Sequence, residues 1–154
     1  MKTTVTCTRK FSIDCGHRVY MHESKCRNLH GHTYIIEVTA SAPQLDSLGR
    51  IIDFGVIKEK LGTWLDDQWD HGFLLWHEDP LSILWTSAGG VCDPSLEDHK
   101  FFLLPYNPTA ENIGRYLVEV TCPRLFSNTD VEVTKVVVHE TPNCFATVVK
   151  NEDS

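Results

Sequence analysis

The chain has 154 residues, 42% of them apolar and 23% charged, which is enough to bury a core in one domain, 1–154, without disulfide staples. Its 21 acidic residues outnumber 14 basic ones for a formal charge of −7, and no basic run follows the pattern that tracks a phosphate backbone, so nucleic acid is excluded as a direct partner. No stretch reaches the apolar length of a membrane span and residues 1–10 lack the apolar centre of an export signal; the expectation is a cytoplasmic protein with no membrane partner, its six cysteines free thiols.

Residues 4–15 carry Thr, Val, Phe and Ile at strand spacing, and after a polar loop Thr33–Ala40 reads as a stronger strand antiparallel to the first. Turn signals at Pro43, Asp46 and Gly49 precede Asp53, which caps a helix with apolar residues at Ile57, Leu61, Trp64 and Leu65. The stretch at about 72–108 is broken by Pro80, Gly89-Gly90, Pro94, Pro105 and Pro108, and is expected to be a long loop with a helical turn near Leu81–Trp85. Thr109 then caps a second helix with Ile113, Tyr116, Leu117 and Val120 on one side. Residues 130–150 alternate around Thr141-Pro142-Asn143 as a closing hairpin. The expected fold is therefore α+β in the order ββααββ, a four-stranded antiparallel sheet with two helices on one face. Its exposed edge strands invite assembly into a ring.

Alternation along an extended chain turns His30 and His32 to one side with Gly31 between them, and His17, at the end of the earlier strand, can join them. Three neutral imidazoles favour zinc and leave a tetrahedral position open for water or substrate. A thiol near histidine and a cationic metal can lose its proton, which makes Cys26 a candidate base or nucleophile. Asp70-His71 suits a carboxylate-oriented imidazole, although adjacency alone fits an ordinary helix C-terminal histidine as readily. Glu140, ending the apolar run Val137-Val138, offers a carboxylate able to accept two parallel hydrogen bonds from a guanidine-like edge; a solvated turn residue fits the sequence equally well.

In chain order, Phe11-Ser12-Ile13-Asp14-Cys15-Gly16-His17-Arg18, Cys26-Arg27-Asn28-Leu29-His30-Gly31-His32, Ile52-Asp53-Phe54, Asp70-His71, Pro108-Thr109-Ala110-Glu111-Asn112 and His139-Glu140-Thr141 resemble the family of 6-pyruvoyltetrahydropterin and 6-carboxytetrahydropterin synthases. The resemblance implies the tunnelling fold, with subunits closing a barrel and stacking as a hexamer, a dimer of trimers with active sites at subunit interfaces. It implies zinc on His17, His30 and His32, a catalytic Cys26, and a proton-relay pair Asp70 and His71. Glu140 would anchor the pterin ring, with Thr109 and Glu111 lining its pocket. The implied substrate is 7,8-dihydroneopterin triphosphate. Only Arg27, Asn28 and Leu29 separate Cys26 from the His-Gly-His motif, which resembles the carboxy branch that releases acetaldehyde and feeds 7-deazaguanine (queuosine-type) synthesis; the pyruvoyl type has a longer interval. The alternatives are the pyruvoyl product and a non-catalytic zinc- and pterin-binding paralogue. The chain departs from the family pattern at Gly16, where Ala is more common, and after His71, where Gly72-Phe73-Leu74-Leu75 leads into the long loop with Trp76, Trp85 and Cys92. Arg18, Lys25 and Arg27 are candidates for the triphosphate.

Overall fold

A computed structural model describes residues 3–84 and 99–152. Strand β1 (Cys7–His17) pairs antiparallel with β2 (His30–Ser41) along its whole length, from Cys7 opposite Ala40 to His17 opposite His30. The His-Gly-His motif is therefore inside β2 rather than ahead of it. Alternation puts Ile13, Cys15, Tyr34, Ile36 and Val38 on one face, where they are buried, and Lys10, Ser12, Asp14, Thr33 and Glu37 on the other.

The sheet has six strands in mixed orientation, not the four antiparallel strands expected. The additions are β3 (Phe73–Trp76) and β4 (Phe101–Leu104), both inside the stretch read as loop. β3 runs parallel to the end of β1, with Gly16 opposite Phe73 and His17 opposite Leu74, and β4 runs parallel to β3. Both are four-residue apolar runs without alternation, as suits strands in which Leu74, Leu75 and Leu104 are fully buried. Such short runs among prolines and glycines carry no periodic signal. Beyond β2 lie β5 (Glu132–Thr141) and β6 (Cys144–Val149), the expected hairpin, giving the order β4-β3-β1-β2-β5-β6. A 3-10 turn at Pro80–Leu84 occupies the predicted helical position; Trp85, Gly89, Gly90, Cys92 and Pro94 lie outside the described residues.

Both helices pack on the apolar face. The first covers 54–68, α-helical at Phe54–Ile57 and Thr63–Gln68 with a π-helical stretch Lys58–Gly62 between, and the Asp53 carboxylate caps it by accepting from Gly55 N at 2.7 Å. The second covers 110–125, with a π-helical stretch Leu117–Thr121, and Thr109 Oγ1 caps it by accepting from Asn112 N at 3.1 Å. A Cβ on Gly114 would lie 2.8 Å from Val148 Cγ2, so the glycine lets this helix sit directly on β5 and β6. Trp64, Trp69, Phe102 and Tyr116 join the two helices to β4 through edge-to-face contacts.

Gly16 also has a packing reason. A Cβ there would meet Phe73 Cδ2 at 2.5 Å, so the departure from Ala in β1 and the Phe that opens β3 are one feature.

Candidate active site

The β1–β2 register sets His17 beside His30 and His32 on the helix-covered face, with nitrogen atoms of all three within 4.8 Å of one another. Two carbonyls fix the tautomers. His17 Nδ1 donates to Pro108 O at 2.8 Å and His30 Nδ1 donates to Asn28 O at 2.7 Å, which leaves each Nε2 as a bare lone pair. Those two Nε2 atoms face each other at 3.1 Å. Lone pairs repel at that distance, and a cation between them removes the conflict; tetrahedral coordination at about 2.0–2.1 Å sets ligand nitrogens roughly 3.3 Å apart. His32 Nε2 is buried with no hydrogen-bond partner among the described residues, a third nitrogen available to the same ion. Burial pushes His17 down to about 4, helped by the neighbouring His30 and His32 and opposed by the Pro108 carbonyl; burial lowers His32 as well. His17 and His32 are thus held toward the neutral form that a metal ligand needs. The donor set fits a metal ion with an open position.

Glu140 shares this face with Val136 and Val138, and its Oε1 lies 3.5 Å from His32 Nε2. His139 points to the opposite face, as alternation requires, with its Nε2 2.6 Å from Glu37 Oε2. Cys26 is half-buried in a 3-10 turn, Lys25–Arg27. Tyr34, a residue the sequence did not single out, packs beside the histidines. The Tyr34 ring centroid is 5.8 Å from that of His17 and 5.5 Å from that of His32. Its hydroxyl is pushed far up, by burial first and then by Cys15, Glu140 and Cys26. The Tyr34 Oη is buried without a hydrogen-bond partner among the described residues. The only sequence signal for it is its position two residues beyond His32, on the same face.

Asp70 and His71 form the expected pair, His71 Nδ1 to Asp70 Oδ2 at 2.9 Å. Asp70 Oδ1 accepts from Asp14 N at 2.9 Å, and His71 N donates to Asp14 O at 2.6 Å, with His71 held in the left-handed region at φ 58°. Burial raises the Asp70 carboxyl, but hydrogen bonds from Asp14 N–H and His71 and the charge of Lys100 outweigh it and hold the group below its ordinary range. The His71 side chain is 77% exposed and borders an open depression with Asp14, Gly31, His32 and Thr33. Asp14 and Thr33 belong to the sheet face away from the helices. One chain therefore brings His17, His30, His32 and Glu140 together on one face beside Tyr34, and the Asp14 backbone holds Asp70–His71 next to β1.

Thr109 is occupied as the helix cap, Glu111 is exposed in the first turn, and Pro108 ties this segment to His17. Arg18 grips the buried Asp79 with two nitrogens, Nε to Oδ2 at 2.7 Å and Nη2 to Oδ1. Lys25 and Arg27 remain exposed.

Residues 6–151 match the 6-pyruvoyl tetrahydropterin synthase family. A 6-carboxy-5,6,7,8-tetrahydropterin synthase from Rickettsia bellii is 40% identical over 144 residues, 94% of this chain and 99% of that protein. Among solved structures, an uncharacterised protein from Wolinella succinogenes superposes with a TM-score of 0.80 at 25% identity, covering 97% of this chain and 100% of that one. The 6-pyruvoyltetrahydropterin synthase of Plasmodium vivax shares the fold with a TM-score of 0.68 at 20% identity, covering 98% and 100%. Sequence match over nearly the whole chain and agreement in fold lead to the same conclusion: this chain belongs to the 6-pyruvoyl tetrahydropterin synthase family.

Proposed function

We propose that the protein is a cytoplasmic, zinc-dependent 6-carboxy-5,6,7,8-tetrahydropterin synthase, converting 7,8-dihydroneopterin triphosphate with release of acetaldehyde and triphosphate for 7-deazaguanine (queuosine-type) synthesis. The observation that carries the metal-dependent reading is the pair of Nε2 lone pairs facing each other at 3.1 Å beside the unpartnered nitrogen of His32. The carboxy assignment is supported by relatives at 38–40% identity that bear that name and by the short interval from Cys26 to His30.

His17, His30 and His32 would hold zinc, which supplies Lewis-acid polarisation of the substrate's side-chain hydroxyls. Glu140 pairs with the 2-amino and N3 hydrogens of the pterin and fixes the ring. Cys26 takes the proton from the adjacent side-chain carbon, and His71, oriented by Asp70, serves the second transfer. Thr109 and Glu111 border the ring pocket from the start of the second helix.

The exposed His71 borders a depression that also includes His32 and is open to a second subunit, which would complete the active site. β1 meets β3 only at Gly16 and His17, so residues 7–15 have no strand partner on that side among the described residues, and β6 is the other edge of the sheet. Pairing of such edges between copies would close a barrel, in line with the hexamer of stacked trimers.

The likeness in fold to a 6-pyruvoyltetrahydropterin synthase keeps one second reading, loss of triphosphate with the side chain retained. Zinc-loaded protein incubated with 7,8-dihydroneopterin triphosphate separates them by mass spectrometry and an acetaldehyde assay. Acetaldehyde with 6-carboxytetrahydropterin is expected; 6-pyruvoyltetrahydropterin without acetaldehyde supports the second reading, and no turnover refutes both.

A further inference from the structure

Between His17 and Cys26 the chain leaves the sheet, yet it is pinned at several points. The Asn107 side chain meets the backbone of Tyr20 twice: Tyr20 N donates to Oδ1 at 2.9 Å, and Nδ2 donates to Tyr20 O at 3.1 Å. Asn107 is itself held, since its carbonyl accepts from Asn112 Nδ2 at 2.9 Å. The next residue, Pro108, accepts from His17 Nδ1 at 2.8 Å. Arg18 is locked to Asp79, whose side chain is 0% exposed and whose Oδ1 also accepts from Leu81 N at 2.8 Å. From this fixed stretch Val19 N donates to Cys26 O at 2.9 Å, and His22 N donates to Val19 O at 3.1 Å.

We propose that Asn107 is a positioning residue of the active site: together with the Arg18–Asp79 brace, it holds the loop that carries Cys26 in register with the histidine cluster. The dipeptide Asn107-Pro108 orients His17 through a backbone carbonyl and the cysteine loop through a side chain, so the two catalytic elements share one support. The amide matches a peptide N–H and C=O at once, by accepting with one atom and donating with the other. An aspartate of the same size keeps the first bond and turns a second oxygen against Tyr20 O. Because His17 is held by the Pro108 carbonyl, that change shifts the loop without altering the metal ligands. The inference rests on Cys26 as the proton-transfer group of the proposed function.

The test compares Asn107→Asp and Asn107→Ser with the unaltered protein in four readings: zinc per chain, urea midpoint, steady-state kinetics, and the pH profile of iodoacetamide labelling of the Cys26 peptide by mass spectrometry. The Cys144 peptide, an exposed thiol, is the internal reference. Zinc content is expected to stay near that of the unaltered protein while kcat falls on the order of 10- to 100-fold, as for misplaced catalytic groups, with KM changed by less than about threefold. The Cys26 labelling profile is expected to shift and the Cys144 profile to stay. An unchanged Cys26 profile, or a loss of activity that only tracks zinc loss or unfolding, overturns the proposal. Should Asn107→Asp and Asn107→Ser fail to fold, Arg18→Lys, which keeps a charge toward Asp79 but loses the bidentate fork, is put through the same readings with the same overturning result. If the unaltered protein turns nothing over, the proposed function fails, and the labelling comparison still decides the positioning role.

Discussion

Gly16→Ala is expected to destabilise this chain. The added Cβ falls 2.5 Å from Phe73 Cδ2 and 2.6 Å from Cε2, against about 3.5–4.0 Å for carbon atoms in contact, so a gap of about 1 Å must open. It also lies 3.3 Å from His30 O, a backbone atom of the paired strand that gives little. Overpacking of this kind costs about 1–3 kcal/mol, and because the Phe73 ring is only half-buried and can turn, the lower half of that range is expected. For a chain of this size that is a Tm drop of about 2–4 °C per kcal/mol. The assay is a double-mutant cycle by urea unfolding, with Gly16→Ala measured alone and in a Phe73→Ala background. A coupling of about 1 kcal/mol or more is expected, since removal of the ring empties the space the methyl needs. A Gly16→Ala cost that is absent, or equally large without Phe73, would refute the steric link between this glycine and β3.

Cys26→Ala is expected to keep zinc and pterin binding while losing turnover; a fully active variant, measured by product formation, removes Cys26 from the mechanism. His30→Ala takes away one of the facing Nε2 atoms and its carbonyl-held tautomer, so metal analysis should show zinc well below one per chain and activity should vanish with it. A full complement of zinc in that variant counts against the site. The Arg18–Asp79 pair carries a pH dependence. Burial raises the Asp79 carboxyl, but the Arg18 hydrogen bond, the Leu81 N–H and the Arg18 charge outweigh it and hold the folded-state value below the ordinary one. Since the folded value is depressed, the contribution to stability is present above the unfolded pKa of about 3.9 and is lost as pH falls through the folded value. Acid titrations of stability should therefore show a limb below about pH 4 that is flatter in Asp79→Asn; the same limb in both proteins would assign it to other carboxylates.

Periodicity and capping made most of the elements legible. β1, β2, β5 and β6 alternate strongly, and Asp53 and Thr109 cap the two helices as their residue types suggest. Alternation placed His30 and His32 on one side and turned His139 away from Glu140. These features depend on near neighbours in the chain, so the local sequence determines them. β3 and β4 were invisible because a four-residue buried run has no polar partner residues to give it a period, and the notch at Gly16 that receives β3 lies in another strand. The bonds that shape the site are also non-local: Arg18 meets Asp79 across 61 residues and Asn107 meets Tyr20 across 87. The sequence lists such donors and acceptors without pairing them, and burial in the folded chain decides which meet. The same holds for Asp70–His71, which is plain as a dipeptide. Its position is set by a left-handed residue bonded to Asp14 of β1, a choice that the tertiary structure alone makes.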